Sequence, residues 1–344
     1  WRWCFYINLP IGIPAVLILL WLLPGRPINK RYFDGLGFAA LALGVATLQL
    51  LLDRGQHEDW LQSWEIRIEA IIALSAIWIF FVHQATTKKP MFDKELVTDR
   101  NFTTALLFMV LIGVMMFGVF ALLPPMLQSL FGYTVVDTGM LLAPRGIGIL
   151  ISMMIATRLA GKVDPRKIVG TGFVLTIISL WQMTQWGLMM DWTYVFWTGL
   201  LQGFGMGFVF IPMNQLAFAT LPMRHRTDGS SLLYLVRSIG SSVGISIMST
   251  MFARNMQTSH SDLASHVTSS SMAMIDPATA DRYQVLGESA LRMVDLEINR
   301  QAAMIAYLDD FHLMMWGLIL FMPLILLMKP PKAGPGQMVH PVGE

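Results

Sequence analysis

The sequence predicts an all-α polytopic membrane protein with nine transmembrane helices, and three observations support this fold class. Nine apolar stretches of roughly 17–23 residues are long enough for a helix to cross the ~30 Å hydrocarbon layer, where only internally bonded backbone is stable. Charged residues make up 13% of the 344 residues, and the mean hydropathy is +0.57. Successive loops alternate between many and few Lys and Arg residues. The stretches are Phe5–Leu23, Leu36–Leu52, Ile66–Val82, Phe102–Leu123, Val136–Thr157, Ile168–Leu188, Trp192–Met213, Ser231–Phe252 and Phe311–Met328.

The loop charges predict the orientation. If the first span runs from outside to inside, the inner loops and tail hold fifteen Lys and Arg residues, and the outer segments hold seven. Cytoplasmic loops are enriched in Lys and Arg, so this arrangement obeys the usual bias. We therefore expect a multi-pass protein of the cell inner (plasma) membrane, with residues 254–310 forming one long loop outside the cytoplasm.

The composition argues against several other classes. Basic residues are dispersed between spans, so we expect no nucleic-acid partner, and the single cysteine, Cys4, permits no internal disulfide. The sequence contains no H-E-x-x-H, no Walker A loop and no paired Cys–His metal spacing, so we expect no cofactor, no metal and no catalytic residues. Gly240 to Gly244 matches G-x-S-x-G, but a nucleophile elbow needs a strand–turn–helix rather than a membrane helix.

The long outer loop has two predicted parts. Ser259–Ser271 is serine-rich and is predicted to be irregular, and Asp276 with Pro277 predicts a helix start. A near-heptad apolar stripe then predicts a helix. Two interpretations stay open: the helix docks an extracytoplasmic partner, or the loop forms a hairpin that packs on itself. The stripe consists of Leu291, Val294, Ile298, Ile305 and Leu308.

Two arginines lie inside predicted spans. Arg145 is near the middle of its span, where a charge costs at least ~2.5–3.5 kcal/mol on insertion scales, and Arg237 lies closer to the cytoplasmic side. We predict no carboxylate equally deep in the chain. Asp137 is eight residues from Arg145, too far along a helix for a direct pair. Both arginines are therefore candidates for the transport path, the alternative being hydrogen bonds to backbone carbonyls between helices.

Small and polar residues mark further candidate positions. Glycines recur every four residues, which lets membrane helices approach closely; packing is the simpler interpretation and a hinge the alternative. The glycines are Gly199, Gly203 and Gly207 in one span, and Gly240 and Gly244 in another; Pro212 would kink or hinge its helix. Polar contacts to a substrate are predicted from Gln202, Asn214 and Gln128.

Several motifs together resemble one family. The opening run Trp1–Gly12, the run L-D-R-G-Q-H-E-D-W over residues 52–60, Arg100-Asn101-Phe102, and Arg237-Ser238-Ile239-Gly240 are similar to the fourteen-span drug:proton antiporter family (EmrB/QacA type) of the major facilitator superfamily. The signature residues of the second run are Asp53, Arg54, Gly55, Asp59 and Trp60. Gly161, Asp164, Arg166 and Lys167 resemble the superfamily's cytoplasmic loop motif. The predicted role of its charged residues is a charge latch at the cytoplasmic mouth. The alternative is ordinary positive-inside anchoring.

The resemblance implies the domain organisation. The major facilitator fold would be partial here, because the chain begins at Trp1 and resembles the C-terminal two-thirds of such a protein. Residues 1–33 would hold the last helix of the N-terminal bundle, and 34–101 two linker helices. A C-terminal six-helix bundle would occupy 102–328, including the loop 254–310, and 329–344 would be a cytoplasmic tail. Substrate would move between two bundles that rock against each other.

The resemblance also implies a function. The expected one is proton-coupled multidrug efflux, by antiport, with this chain as a fragment of the transporter. Expected partners are the lipid bilayer, small amphipathic or apolar substrates, protons, and a periplasmic adaptor with an outer-membrane channel. Family proton-coupling carboxylates lie mainly in the first bundle. Two alternatives remain: an exporter of one defined metabolite or siderophore, and a non-transporting membrane scaffold or sensor.

Overall fold

The computed structural model describes residues 2–22, 33–55, 58, 60–267 and 288–328, and the regular elements in these residues are helical. A single isolated β-bridge joins Ala160 and Val163. The α-helices are α1 (Arg2–Tyr6), α2 (Asn8–Leu22), α3 (Gly35–Arg54), α4 (Trp64–Thr86), α5 (Lys94–Thr98), α6 (Arg100–Phe131), α7 (Val135–Leu159), α8 (Pro165–Met183), α9 (Trp192–Phe218), α10 (Arg226–Ser265) and α11 (Glu288–Phe321).

Seven helical segments of the described chain are long and apolar enough to cross a membrane. They are Gly35–Arg54, Trp64–Thr86, Arg100–Phe131, Val135–Leu159, Trp192–Phe218, Met223–Ser265 and Arg292–Leu327. The predicted spans Phe5–Leu23 and Ile168–Leu188 correspond to α2, with 15 residues, and α8, with 19 residues, which are not among these seven. The all-helical, multi-pass fold class is confirmed, and a total of nine spans stays a prediction.

The chain divides into two compact units, residues 1–35 and residues 36–344. This first unit contains α1 and α2. No residue of α2 is buried, and its 15 residues are almost entirely apolar, which suits a helix surrounded by lipid.

The second unit is built around six long helices, α6 to α11. α6 packs along α10, α7 along α9, and α8 along both α9 and α11. Its core is aromatic and aliphatic: Phe108 of α6 stacks on Phe173 of α8, with ring centroids 5.7 Å apart. Glycines let the pairs approach closely. A Cβ at Gly240 would lie 2.5 Å from the carbonyl oxygen of Val110, and one at Gly244 would lie 2.5 Å from the Cα of Val114.

Helices α3 and α4 form a hairpin tied by charge at its turn. Arg54 makes two hydrogen bonds with the Glu65 carboxylate, at 2.6 and 2.9 Å. A Cβ at Gly55 would lie 2.7 Å from the ring of Trp60, so the turn closes onto that ring. The family-signature residues therefore build the hairpin turn; Asp53 lies 3.3 Å from the Gln49 amide, while Asp59 falls outside the described residues.

The hairpin is also joined to the six-helix assembly. Ser242 of α10 is buried and donates a hydrogen bond to the side-chain oxygen of Gln49 on α3. This contact links residues 193 positions apart in the chain.

The long outer loop is more helical than predicted. α10 continues to Ser265, so the prediction of irregular chain was wrong for Ser259–Ser265, and α11 begins at Glu288. Serine within a continuous amphipathic helix can satisfy its hydroxyl on the preceding turn, as Ser265 does on the Asp262 carbonyl at 2.7 Å. The two helices pack together, and His260 lies 3.0 Å from the Asp295 carboxylate. This contact favours the hairpin interpretation; the predicted start at Asp276 and Pro277 lies outside the described residues.

Candidate functional site

Arg145 is the largest buried side chain of the predicted site. It lies near the middle of α7 and is 1% exposed. Its three guanidinium nitrogens, Nε, Nη1 and Nη2, have no hydrogen-bond partner among the described residues. Among the described residues, no backbone carbonyl therefore holds the Arg145 guanidinium, as the alternative interpretation would require. Asp137 is engaged elsewhere, with the Thr134 hydroxyl at 2.7 Å.

The surroundings of Arg145 are an aromatic ring and the glycine side of α9. Its guanidinium carbon lies 4.9 Å from the centroid of the Phe120 ring on α6. A Cβ at Gly203 would overlap the Arg145 carbonyl oxygen, and one at Gly207 would overlap the Ser152 hydroxyl. The glycine spacing in α9 therefore permits close contact with α7, and Arg145 lies within that contact.

Gln202 is a second buried polar side chain on α9. It is 0% exposed, and neither its Nε2 nor its Oε1 atom has a hydrogen-bond partner among the described residues. It precedes Gly203, so it belongs to the helix that contacts Arg145. Burying an amide without a hydrogen-bond partner costs roughly 1–3 kcal/mol of folding free energy. A glutamine with a purely structural role would not be kept here at that cost.

Arg237 has a different environment, on α10. It is half-buried, and its guanidinium carbon lies 4.8 Å from the Tyr234 ring centroid and 5.7 Å from that of Phe210. Tyr234 is 66% exposed in this chain. A cation between two aromatic faces offers a surface on which flat apolar groups can stack.

The remaining predicted polar residues lie at the surface of this chain. Gln128 and Asn214 are exposed, and Asn214 donates to the Phe210 carbonyl of its own helix at 2.8 Å. Pro212 is buried inside α9, which continues through it to Phe218. The structure thus brings Arg145 and Gln202 into one helix pair and leaves Gln128 and Asn214 outside it.

The predicted cytoplasmic loop motif builds a helix start. Gly161 has φ of +82°, and the Asp164 carboxylate accepts a hydrogen bond from the Arg166 backbone N–H at 3.0 Å as the N-cap of α8. Arg166 has a buried Nε without a partner among the described residues, and Lys167 is exposed. These contacts give Asp164 a local capping role, and the charge latch stays a prediction.

A charged cluster that was not predicted joins α5 to the segment before α10. Arg224 donates a hydrogen bond to Glu95 of α5 at 2.6 Å, and His225 lies 3.1 Å from the same carboxylate. The Arg224 hydrogen bond, reinforced by His225, lowers the pKa of the Glu95 carboxyl. The partners are 129 residues apart, and no local spacing could have paired them.

Asp310 is a buried carboxyl group that was not among the predicted site residues. It lies within α11, is 0% exposed, and neither carboxylate oxygen has a hydrogen-bond partner among the described residues. In the sequence, Asp310 is the last residue of the predicted outer loop, one residue before the last apolar stretch. The available signal was the continuation of the heptad stripe through Ile305 and Leu308, which predicts one unbroken helix across that boundary.

A cavity lies between the start of α9 and the end of α8. It measures about 540 Å³ and is lined mainly by aromatic and amide side chains. Its residues are Trp181, Gln182, Gln185, Trp186, Thr193, Tyr194, Trp197 and Thr198. Within the described residues, no group of three or more His, Cys, Asp or Glu side chains could hold a metal ion.

Comparisons with known proteins agree with this architecture. Multidrug export protein EmrB of Escherichia coli (strain K12) is 31% identical over 98% of this chain and 66% of its own length. Fatty acid resistance protein FarB of Neisseria gonorrhoeae is 31% identical over 96% of this chain and 66% of its own. This chain therefore spans less than two thirds of the length of these relatives.

One solved structure is distantly similar. A bacterial homologue of the human lysosomal transporter Spinster, inward-facing and occupied, aligns with 87% of this chain and 67% of its own at 16% identity, with a TM-score of 0.49. This likeness is too low to bear on function.

The family is decided by a match over most of the chain. Residues 1–245 match the Major Facilitator Superfamily, and the described segments suit a multi-pass protein of the inner membrane. Membership indicates a transporter rather than an enzyme. This chain belongs to the Major Facilitator Superfamily.

Proposed function

We propose that the complete protein is a proton-coupled multidrug efflux transporter, an antiporter that exchanges drug for protons. EmrB, which is similar over nearly all of this chain, is named a multidrug export protein. Because the chain spans 66% of that relative, the activity belongs to the whole protein rather than to these residues alone.

The observation that carries the proposal is the unpaired Arg145 guanidinium. A charge inside a span costs at least ~2.5–3.5 kcal/mol on insertion scales, and hydrogen bonds to protein would ordinarily offset this. Arg145 has no such bonds among the described residues and faces the Phe120 ring. We infer that Arg145 is retained, despite the cost of a charge inside the membrane, because it lies on the transport path. A substrate or a carboxylate of another bundle would pair with its guanidinium during part of the cycle.

Aromatic residues support a site for varied substrates. Phe117 and Phe120 on α6 are each 38% exposed, and Tyr234 and Phe210 flank Arg237. Rings bind flat amphipathic molecules by stacking and apolar contact, which depends little on substrate identity. Gln202 would add one hydrogen-bonding group to this largely apolar surface.

The α10–α11 hairpin supports the proposed extracytoplasmic partners. It reaches past the predicted outer surface, and a cavity of about 370 Å³ opens at its outer part, lined by Leu263, Val267, Met293, Val294, Glu297, Ile298 and Gln301. A periplasmic adaptor would dock at this outer part of the hairpin and would pass drug on to an outer-membrane channel.

A second candidate is an exporter of one defined amphipathic metabolite. The observation that favours it is again Arg145, because an unpaired guanidinium binds a carboxylate bidentately. FarB is named a fatty acid resistance protein. A non-transporting scaffold or sensor has no such support, since it would need neither a buried unpaired cation nor a buried unpaired amide.

Transport by the complete protein in proteoliposomes tests the proposal. Vesicles with an acidic lumen are given a panel of lipophilic cations and neutral dyes, and a fatty acid is added as a separate arm. Accumulation of several chemically different dyes, lost when a protonophore collapses the gradient, is the expected result. Accumulation that survives loss of the gradient would contradict proton coupling. Transport of the fatty acid alone would favour the single-substrate exporter.

A further inference from the structure

Asp310 is a buried carboxyl group to which the proposed transport path assigns no role. It lies on α11, is 0% exposed, and both of its carboxylate oxygens lack a hydrogen-bond partner among the described residues. Its neighbour Asp309, on the same helix, is exposed. The two carboxyls therefore differ in burial although they are adjacent in sequence.

The neighbours of Asp310 on α11 make apolar and aromatic contacts. The next residue, Phe311, meets the Trp186 ring edge-on at 5.9 Å between centroids. One turn earlier, Tyr307 lies 4.4 Å from the Phe252 ring of α10. One turn later, Met314 is buried beside Gly118 of α6. These contacts on either side of Asp310 are therefore aromatic or apolar, and none of them involves a cation.

Charged groups that could neutralise Asp310 are absent from most of the facing helices. α6 carries no titratable residue after Arg100, and α8 none after Lys167. On α10, the charged residue nearest in sequence to the Phe252 contact is Arg254, which is exposed. The 3₁₀ segment Met322–Leu327 that follows α11 contains no titratable residue.

The titratable neighbours on α11 itself cannot neutralise Asp310 either. Asp309 carries the same charge, and Tyr307 is a phenol. His312 is exposed and engaged with the Leu308 carbonyl at 3.0 Å. None of the titratable residues named on α6, α8, α10 or α11 therefore supplies a buried cation beside Asp310.

An ionised carboxylate in such an environment is too costly, so the packed arrangement requires the neutral acid. Burying a lone carboxylate costs far more than burying a neutral hydrogen-bonding group, and the group takes up a proton instead. Ionisation becomes favourable only when the surrounding helices separate and admit water. The proton on Asp310 is thus coupled to the packing of α8, α10 and α11.

The place of Asp310 suits exchange with the extracytoplasmic side. Trp186 follows the end of α8 at Met183, and α8 ends at the outer surface in the predicted orientation. Phe311 and Asp310 therefore lie close to that surface but under side-chain cover. A small separation of the outer helix ends would expose the carboxylate to outside water.

We propose that Asp310 is a proton-binding site in the C-terminal bundle, which must take a proton from the extracytoplasmic side before the outer ends of α8, α10 and α11 can pack. The step is a proton transfer from hydronium in the outside water to the carboxylate, giving the neutral acid that the packed arrangement requires. This inference rests on the proposed proton-driven efflux and adds to it a second site, apart from the carboxylates expected in the first bundle.

The test compares Asp310→Asn with Asp309→Asn in the complete protein, reconstituted in proteoliposomes. Asparagine is neutral at every pH, so the Asp310→Asn bundle packs without a proton. We expect this variant to move drug down its own gradient while losing accumulation driven by a pH gradient. The adjacent variant Asp309→Asn should keep gradient-driven accumulation. If Asp310→Asn accumulates drug at the wild-type rate, the inference is overturned.

Two further results keep the inference separate from the proposed function. If the wild-type protein shows no gradient-driven transport, the proposed function fails first, and the inference, which rests on it, fails with it. If Asp310→Asn does not reach the membrane, Asp310→Glu replaces it. A glutamate should keep proton-driven transport with a shifted pH dependence, and an unshifted profile would contradict a titrating role at this position.

Discussion

The carbonyl oxygen of Arg145 occupies the space that a side chain at Gly203 would need. α7 and α9 therefore touch backbone to backbone at the level of the buried guanidinium. Any atom added to Gly203 must push against main chain, which cannot rotate away as a side chain can.

Replacing Gly203 with alanine should destabilise the protein. Overpacking of a tight contact costs about 1–3 kcal/mol, and here the overlapping atom is a carbonyl oxygen. We expect a lower melting temperature in detergent, measured by size-exclusion chromatography after heating. Gly146→Ala on α7 is the control, because a Cβ there would meet nothing within 4 Å. Equal melting temperatures for the two variants would contradict the close contact.

Replacing Arg145 with alanine should abolish drug efflux while leaving membrane insertion intact. Removing an unpaired buried charge relieves a cost instead of breaking a bond, so folding should not suffer. The measurement is drug resistance in cells beside the amount of protein in the membrane. Arg158→Ala, an exposed arginine in the last turn of the same helix, should retain resistance. Unchanged resistance in Arg145→Ala would remove this residue from the mechanism.

Replacing Gln202 with leucine separates stability from function. The buried amide has no partner among the described residues, so an apolar side chain of similar size should leave the melting temperature unchanged or raise it. Transport should fall, because the path loses its polar group on α9. A leucine variant that melts well below wild type would mean that Gln202 has a structural hydrogen bond.

The Arg224–Glu95 pair should make stability depend on acid pH. Its hydrogen bonds lower the folded-state pKa of Glu95 below the unfolded value, so the stabilisation is present above the unfolded pKa of about 4.3 and is lost as pH falls through the folded pKa. Glu95 is exposed, so the effect is small and is screened by salt.

A double-mutant cycle checks this pair. Melting temperatures of wild type, Glu95→Gln, Arg224→Gln and the double variant are compared across that acid range at low salt. The wild type should lose its advantage over the single variants as the pH falls. The double variant should melt no lower than either single variant at neutral pH. Additive losses in the cycle would show that the two side chains act independently.

The sequence was sufficient for features that depend on local pattern. Apolar length and loop charge predicted the helical membrane fold, and the interval of four residues predicted that Gly203 and Gly207 lie in a helix contact. Arg145 was identifiable because a charge near the middle of an apolar stretch is rare. These properties follow from the residue type and its immediate neighbours.

Features that depend on several helices together were not predictable. Asp310 follows another aspartate at the edge of an apolar stretch, so hydropathy places it in a loop. It is buried where α11 packs against other helices, and its helix neighbours Phe311 and Tyr307 meet the rings of Trp186 and Phe252. The Arg224–Glu95 bond likewise joins residues 129 positions apart, and the lack of a partner for Gln202 emerges only when all its neighbours are known.

The hydrogen bond from Ser242 to Gln49 has a mechanical consequence. It fastens α3, and through its charged turn α4, to the side of α10. In a transporter that works by tilting its two halves, α3 and α4 would therefore move together with the half that contains α10. They would not stay fixed as a hinge between the halves. α3 and α4 would then move through the lipid in each cycle, and the lipid would resist the motion of the half that contains α10.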